Sequence, residues 1–159
     1  MSLYNYKYFI SSRRFQRDKN RLKELVSIVK SYEPKSVLDV GCGIGNLVLS
    51  LREEGISAFG VDSAKALESF WHEDYFSFAE ATKLPFEHKT FDLVVSSDFF
   101  EHIPEEDIDT VKSEMLRVGK RVIARVAYED NITKKQALYH VTNKPKEWWE
   151  NKLKGIELI

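Results

Sequence analysis

Apolar residues along this chain follow two alternating patterns, one with the period of an amphipathic helix and one typical of buried strands. In residues 11–32, Phe15, Leu22, Leu25, Val26 and Val29 fall at helical spacing among lysines and arginines, and Pro34 stops the pattern. Ser36 to Val40 reads as a buried strand running into a glycine-rich turn. A helix over 45–54 turns Leu47, Val48 and Leu51 inward, Gly55 ends it, and Ala58–Val61 is a second strand. Strand, helix and strand within about 25 residues predict a right-handed crossover onto a parallel sheet. The pattern then repeats: a short helix over Ala64–Trp71, a third strand over Tyr75–Phe78 and a fourth over Phe91–Ser96. Pro104 opens the next helix with Glu105, Glu106 and Asp107 at the positive end of its dipole; Ile108, Val111, Met115 and Val118 form its stripe, and Gly119 closes it. Arg121–Ala127 is a fifth strand and 155–159 a sixth. The predicted fold class is α/β: an open, doubly wound, mostly parallel sheet with helices on both faces, whose ligands sit at the carboxyl ends of the strands.

The first crossover also carries the chemistry. Residues 37–45 read Val-Leu-Asp-Val-Gly-Cys-Gly-Ile-Gly, and the second strand ends on Asp62. Glycines let a ligand press against bare backbone, and a carboxylate at the tip of the neighbouring strand accepts two ribose hydroxyls, so the pair points to an adenosine-type ligand. At 159 residues, 43% apolar and 31% charged, the chain reads as one domain with a real core. No stretch approaches the ~18 apolar residues of a membrane span, and residues 1–8 lack the apolar centre of a signal peptide. The single cysteine, Cys42, excludes an internal disulfide and a cysteine-rich metal site, so a cytoplasmic location is the expectation. The net charge of −1 is unevenly spread: about +6 in residues 1–36, −12 in 37–110 and +5 in 111–159. These are either ordinary solvated helix faces or an acidic cofactor half facing basic segments that gather an anionic substrate. The overall balance argues against nucleic acid as the main partner, although Arg13, Arg14, Arg17 and Arg21 form a local basic stripe.

Dinucleotide oxidoreductases use Gly-x-Gly-x-x-Gly to seat a pyrophosphate on a helix N-terminus. Here the spacing is Gly41-x-Gly43-x-Gly45, preceded by Asp39, whose charge would repel a pyrophosphate but suit a cation. The segment resembles the class I S-adenosylmethionine-dependent methyltransferases, with their Asp-x-Gly-x-Gly-x-Gly signature and Rossmann-like sheet. Residues 79–86 (Ala-Glu-Ala-Thr-Lys-Leu-Pro-Phe) and 91–103 (Phe-Asp-Leu-Val-Val-Ser-Ser-Asp-Phe-Phe-Glu-His-Ile) are similar to further stretches of that family, over about 37–118. The resemblance implies that Gly41, Gly43 and Gly45, with Cys42 as a small filler, cradle the methionine and ribose portions of S-adenosylmethionine. It places Asp39 near the ammonium, with loop capping as the alternative, Asp62 on the ribose hydroxyls and Ser63 beside the adenine. Glu80 would accept from the adenine amine where the family often has Asp, Ala81 would donate from its backbone, and Ser97 would line the sulfonium end.

A hydroxyl acceptor benefits from a general base, and His102, Asp98 and His140 are the candidates. His140 opens a segment, His-x-x-Asn-x-Pro-x-x-Trp-Trp, with the character of the family's substrate-side loop; either tryptophan could stack on a sugar or pack on the sheet. Tyr4, Tyr6 and Tyr8 could form a lid. No His, Asp or Glu cluster stands at metal-ligand spacing along the chain, so no metal is expected. The expected organisation is a single methyltransferase domain over 1–159, with a helical cap at 1–35, a cofactor-binding core at 36–127 and a substrate-side loop, helix and last strand at 128–159. The family's usual seventh strand has no counterpart, so an exposed sheet edge could pair in a homodimer or under a partner protein. The expected activity is methyl transfer from S-adenosylmethionine, leaving S-adenosylhomocysteine, to a small-molecule or glycan-type acceptor. A non-catalytic binding module and a nucleic-acid methyltransferase remain as alternatives. Ser96-Ser97-Asp98-Phe99 stands where base-amino methyltransferases carry Asn/Asp-Pro-Pro-aromatic, which counts against the latter.

Overall fold

The computed structural model describes residues 12–67, 70–71, 74–129 and 140–159, with the side chains of 12–18 excepted. Six strands form one sheet in the order β3-β2-β1-β4-β5-β6, and every pairing is parallel. They are β1 (Ser36–Val40), β2 (Ser57–Asp62), β3 (Phe76–Phe78), β4 (Phe91–Ser97), β5 (Gly119–Arg125) and β6 (Glu157–Leu158). The helices are α1 (Ser12–Ser31), α2 (Asn46–Glu53), α3 (Ile108–Val118) and α4 (Lys146–Lys152).

Successive strand residues point to opposite faces, and both faces here are covered, which is why the central strands read as almost continuous apolar runs. Val37, Leu93, Val95 and Ile123 pack with Leu25 and Val29 of α1 and with Leu47, Val48 and Leu51 of α2. Leu38, Val40, Val94, Val122 and Ala124 pack on the other face with Ile108, Val111, Met115 and Val118 of α3 and with Trp149 of α4. Gly55 ends α2 as expected: at φ 81° it lets its own N–H reach Arg52 O (3.0 Å) and Ile56 N–H reach Leu51 O (3.0 Å).

Two expectations need correction. Gly119 closes α3 as expected, but in an extended conformation (φ −103°) that also makes it the first residue of β5, tight against Val94, so the strand spans Gly119–Arg125 where Arg121–Ala127 was expected. Instead of a helix over Ala64–Trp71, only a single 3-10 turn, Lys65–Leu67, forms among the described residues. The remaining boundaries agree within a residue or two, apart from α3, where the first turn expected from Pro104 is a 3-10 turn (Glu105–Asp107) and the α-helix starts at Ile108, and β6, which is shorter than the expected 155–159.

β1 is flanked by β2 on one side and β4 on the other, so chain order reverses at that point. Sheets of this type open a crevice there, beyond the carboxyl ends of the strands. The ends of β1, β2, β3 and β4 (Val40, Asp62, Phe78 and Ser97) lie along that edge.

Candidate active site

Two recesses lie along the edge. The larger, about 360 Å³, is lined by Gly41, Gly43, Asp62, Ser63, Glu80, Ala81, Asp98 and His102, with Phe99, Thr82 and Pro104 among the other walls. The smaller, about 150 Å³, is lined by Asp39, Cys42, Ser97, Arg21 and Arg125. Gly41 and Asp98 line both. Eleven residues singled out from the sequence thus line these two recesses, with Asp39, Cys42 and Ser97 in the smaller one. Gly45 and His140 line neither recess.

The loop after β1 needs its glycines. Gly41 sits at φ 77° with its bare backbone against the Phe99 ring; a Cβ there would lie 2.3 Å from a ring carbon. The Asp62 carboxylate ties the loop to β2: one oxygen accepts from Gly43 N–H (3.0 Å) and the other from Ala64 N–H (2.9 Å). Each oxygen keeps a further lone pair for a ligand. Trp71 Nε1 donates to Gly43 O (3.1 Å), and its ring stacks on Phe76. Phe99, on the cavity wall, and Trp71, which braces the glycine loop, carried no signal beyond being aromatic residues near the glycines.

Asp39 is buried at the end of β1. Burial, reinforced by the negative charge of Asp62, pushes its carboxyl up to about 7. A nearby cation would reverse that penalty, which fits the cation-binding reading of this carboxylate.

Cys42 behaves as filler. Its sulfur occupies the space a side chain on Gly60 would need, 2.8 Å from that glycine's would-be Cβ. Burial, then the charges of Asp39 and Asp62, pushes the thiol well above its ordinary range. Because the thiolate is the reactive form, the native protein should react with an aromatic disulfide reagent at pH 8 more slowly than the denatured chain. Equal rates would overturn the assignment.

At the other wall, Asp98 takes a left-handed backbone conformation (φ 52°) that Asp tolerates, held by its N–H on Arg125 O (3.0 Å). Its carboxylate accepts from Arg21 (2.9 Å), an exposed pair of the kind usually worth ~0–1 kcal/mol. Arg21 therefore faces the recess and is occupied by a site carboxylate. The side chains of Arg13, Arg14 and Arg17 lie outside the described residues, as do Tyr4, Tyr6, Tyr8 and Tyr139.

His102 is half-buried on the cavity wall, whereas His140 is buried behind it, their rings edge-to-face at 5.0 Å. Glu101, fully buried beside them, was missed as a site residue. Its Oε1 accepts from Ala127 N–H (3.3 Å), and burial, then the charge of Asp98, pushes its carboxyl up to about 8. Trp149 is no stacking platform. It is fully buried against Phe100, while Trp148 lies beside it under Lys144.

A family model described as "Methyltransferase domain" matches residues 37–121. Phosphoethanolamine N-methyltransferase 1 of Zea mays is 28% identical over 128 residues, covering 73% of this chain and 26% of that protein. The ubiquinone biosynthesis O-methyltransferase of Idiomarina loihiensis is 38% identical over 80 residues, covering 45% of this chain and 33% of that protein. The chain therefore spans about a quarter of the first relative and a third of the second. The crystal structure of an S-adenosylmethionine-dependent methyltransferase from Archaeoglobus fulgidus superposes with a TM-score of 0.68 over 90% of this chain and 72% of that one; at 21% identity it supports the fold alone.

Proposed function

We propose that this chain, which belongs to the class I S-adenosylmethionine-dependent methyltransferase family, transfers a methyl group to a small-molecule or glycan-type acceptor. The observation that carries the reading is the placement of the Asp62 carboxylate beside the bare backbone of Gly41 and Gly43, at the mouth of a cavity of about 360 Å³. The residues fit the cofactor. Gly41 and Gly43 present bare backbone on the cavity wall, Asp62 has lone pairs to spare, and the acidic lining suits a cationic ligand. No helix among the described residues is long and apolar enough to cross a membrane.

When bound, the sulfonium supplies an activated methyl group, which an in-line nucleophile takes as the C–S bond breaks and its electron pair stays on sulfur. The protein's part is positioning, which can contribute on the order of 7–11 kcal/mol. In this assignment Asp62 holds the ribose hydroxyls, Ser63 flanks the adenine, and Glu80 and Ala81 meet its edge. Asp39 faces the ammonium from the smaller recess, with Ser97 near the sulfonium. His102, on the cavity wall, is the general base in reach of an acceptor hydroxyl; Asp98 stands beside it but is paired with Arg21, and His140 acts on His102 from behind. The core is 36–127, with 1–35 as its cap and 128–159 as the substrate side. A second copy or another protein along the sheet edge, and a cytoplasmic location, belong to the same reading.

Support for a small acceptor comes from the relatives, one named for phosphoethanolamine and one for ubiquinone biosynthesis. The test is calorimetric titration with S-adenosylmethionine, S-adenosylhomocysteine and NAD, followed by transfer of labelled methyl to a panel of small amines, phenols and sugars. Micromolar binding of the first two, with label transferred to one class, is expected. Binding of NAD alone would point to an oxidoreductase. Cofactor binding without any transfer would favour a non-catalytic module, and transfer only to RNA or DNA, lost at high salt, would favour a nucleic-acid enzyme.

A further inference from the structure

The turn after β4 and the segment that follows β5 are separated by almost forty residues, yet three hydrogen bonds clamp them together. Val141 and Thr142 donate their N–H groups to Glu101 O (2.8 and 3.0 Å), and Thr142 Oγ1 donates to Ile103 O (2.7 Å). Asn143 Nδ2 closes the second segment on His140 O (3.1 Å). The clamp brings one donor atom from each of Glu101, His102 and His140 to within 4.8 Å of one another. Glu101 is fully buried, and its Oε2 accepts no hydrogen bond from the described residues. A buried carboxylate oxygen left without a donor is costly unless something positive meets it.

We propose that Glu101, His102 and His140 form a binding site for one divalent first-row transition metal at the wall of the cofactor cavity. Two imidazoles with one carboxylate suit Zn²⁺, Fe²⁺, Co²⁺ or Mn²⁺ better than the hard, oxygen-preferring Mg²⁺ and Ca²⁺. Metal–ligand distances of about 2.0–2.2 Å set neighbouring donors roughly 3–3.5 Å apart, so small side-chain rotations close the present spacing without moving the clamped backbone. Three protein ligands leave positions open for water or substrate, and His102 already lines the cavity. Arg21 and Asp98 are the charged groups facing this cluster from α1 and the end of β4. Taking the methyl-transfer reading as premise, with His102 then a metal ligand in place of the general base, the ion would bind an acceptor oxygen and ease loss of its proton, which names hydroxyl compounds able to ligate a metal as the acceptor class.

The experiment titrates the chelator-stripped full chain with Co²⁺ and Zn²⁺, with Mg²⁺ and Ca²⁺ for comparison, by calorimetry and by competition with a chromophoric chelator. His102→Asn, His140→Asn, Glu101→Gln and, on the exposed turn before β4, His88→Asn are run beside it, each checked for folding by circular dichroism. One transition-metal ion per chain is expected, weakened at least ~10-fold in His102→Asn, His140→Asn and Glu101→Gln and unchanged in His88→Asn. His102 is only half-buried, so its variant keeps the test decisive if Glu101→Gln fails to fold. Failure to bind one equivalent, or unchanged binding in both His102→Asn and His140→Asn, overturns the site. S-adenosylmethionine titrated into the same samples separates the two readings. Cofactor bound without metal sinks only the metal site, and metal bound without cofactor sinks only the methyltransferase.

Discussion

Asp62→Ala should lose S-adenosylmethionine binding by ~100-fold or more while the sheet stays folded. The wild-type carboxylate offers a ribose two charge-assisted hydrogen bonds, each worth ~1.5–3 kcal/mol, and ~2.7 kcal/mol already amounts to a hundredfold. The same carboxylate holds Gly43 N–H and Ala64 N–H, so the variant also frees the loop that forms the cavity wall. Asp62 itself is only partly buried at a strand tip, and its neighbours in the core, Val61 and Ala58, pack without it. Thermal unfolding should therefore shift modestly. Asp62→Asn keeps the shape and one good acceptor, and should fall between the two. Calorimetric titration of all three proteins decides it: native affinity in Asp62→Ala would mean that the ligand lies elsewhere along the edge.

Much of that pocket could be read from the chain, because its parts are local. A strand, a glycine turn and a helix are contiguous in 36–53, and the backbone there does what glycine permits at Gly41 and Gly55. β1 and β4 were legible to within a residue, since strands buried on both faces show as unbroken apolar runs. What was not legible depends on distance along the chain. Arg21 reads as one of four basic residues on a helix face, and only the fold sets it 2.9 Å from Asp98. Glu101 reads as a polar residue in a turn; its complete burial follows from the clamp with 141–142, which no periodicity announces. Trp148 and Trp149 are equivalent by type, but adjacent helix positions face different ways, so one is core and the other is only half-buried. The helix expected over Ala64–Trp71 and the strand start expected at Arg121 failed for a related reason. Propensity and a glycine mark where a helix can end, whereas packing decides whether a helix or a strand is there at all.

Asp39→Asn should stabilise the ligand-free protein at pH 8 and weaken its hold on the cofactor. In the folded protein the Asp39 carboxyl titrates near 7, against 3.8 for the unperturbed group. Below pH ~4 both states carry the proton and this group contributes no difference between them. Between ~4 and 7 the unfolded chain ionises while the folded one does not, so stability falls as pH rises, then stays level above 7. About three units at ~1.4 kcal/mol each place the full loss near 4 kcal/mol, to order of magnitude. The variant lacks this titration, so the difference between the two proteins' unfolding free energies should grow from pH 4 to 7 and then flatten. A difference independent of pH would remove the argument. Binding a cation reverses the sign of the linkage: it draws the carboxyl back down and expels its proton. At pH 6, titration of S-adenosylmethionine in buffers of different ionisation enthalpy should show proton release by the wild type and none by Asp39→Asn, with wild-type affinity rising up to about pH 7. A carboxylate that costs the empty domain stability is then the group that makes a positively charged ligand worth binding, and a protein retaining it should be most stable with that ligand in place.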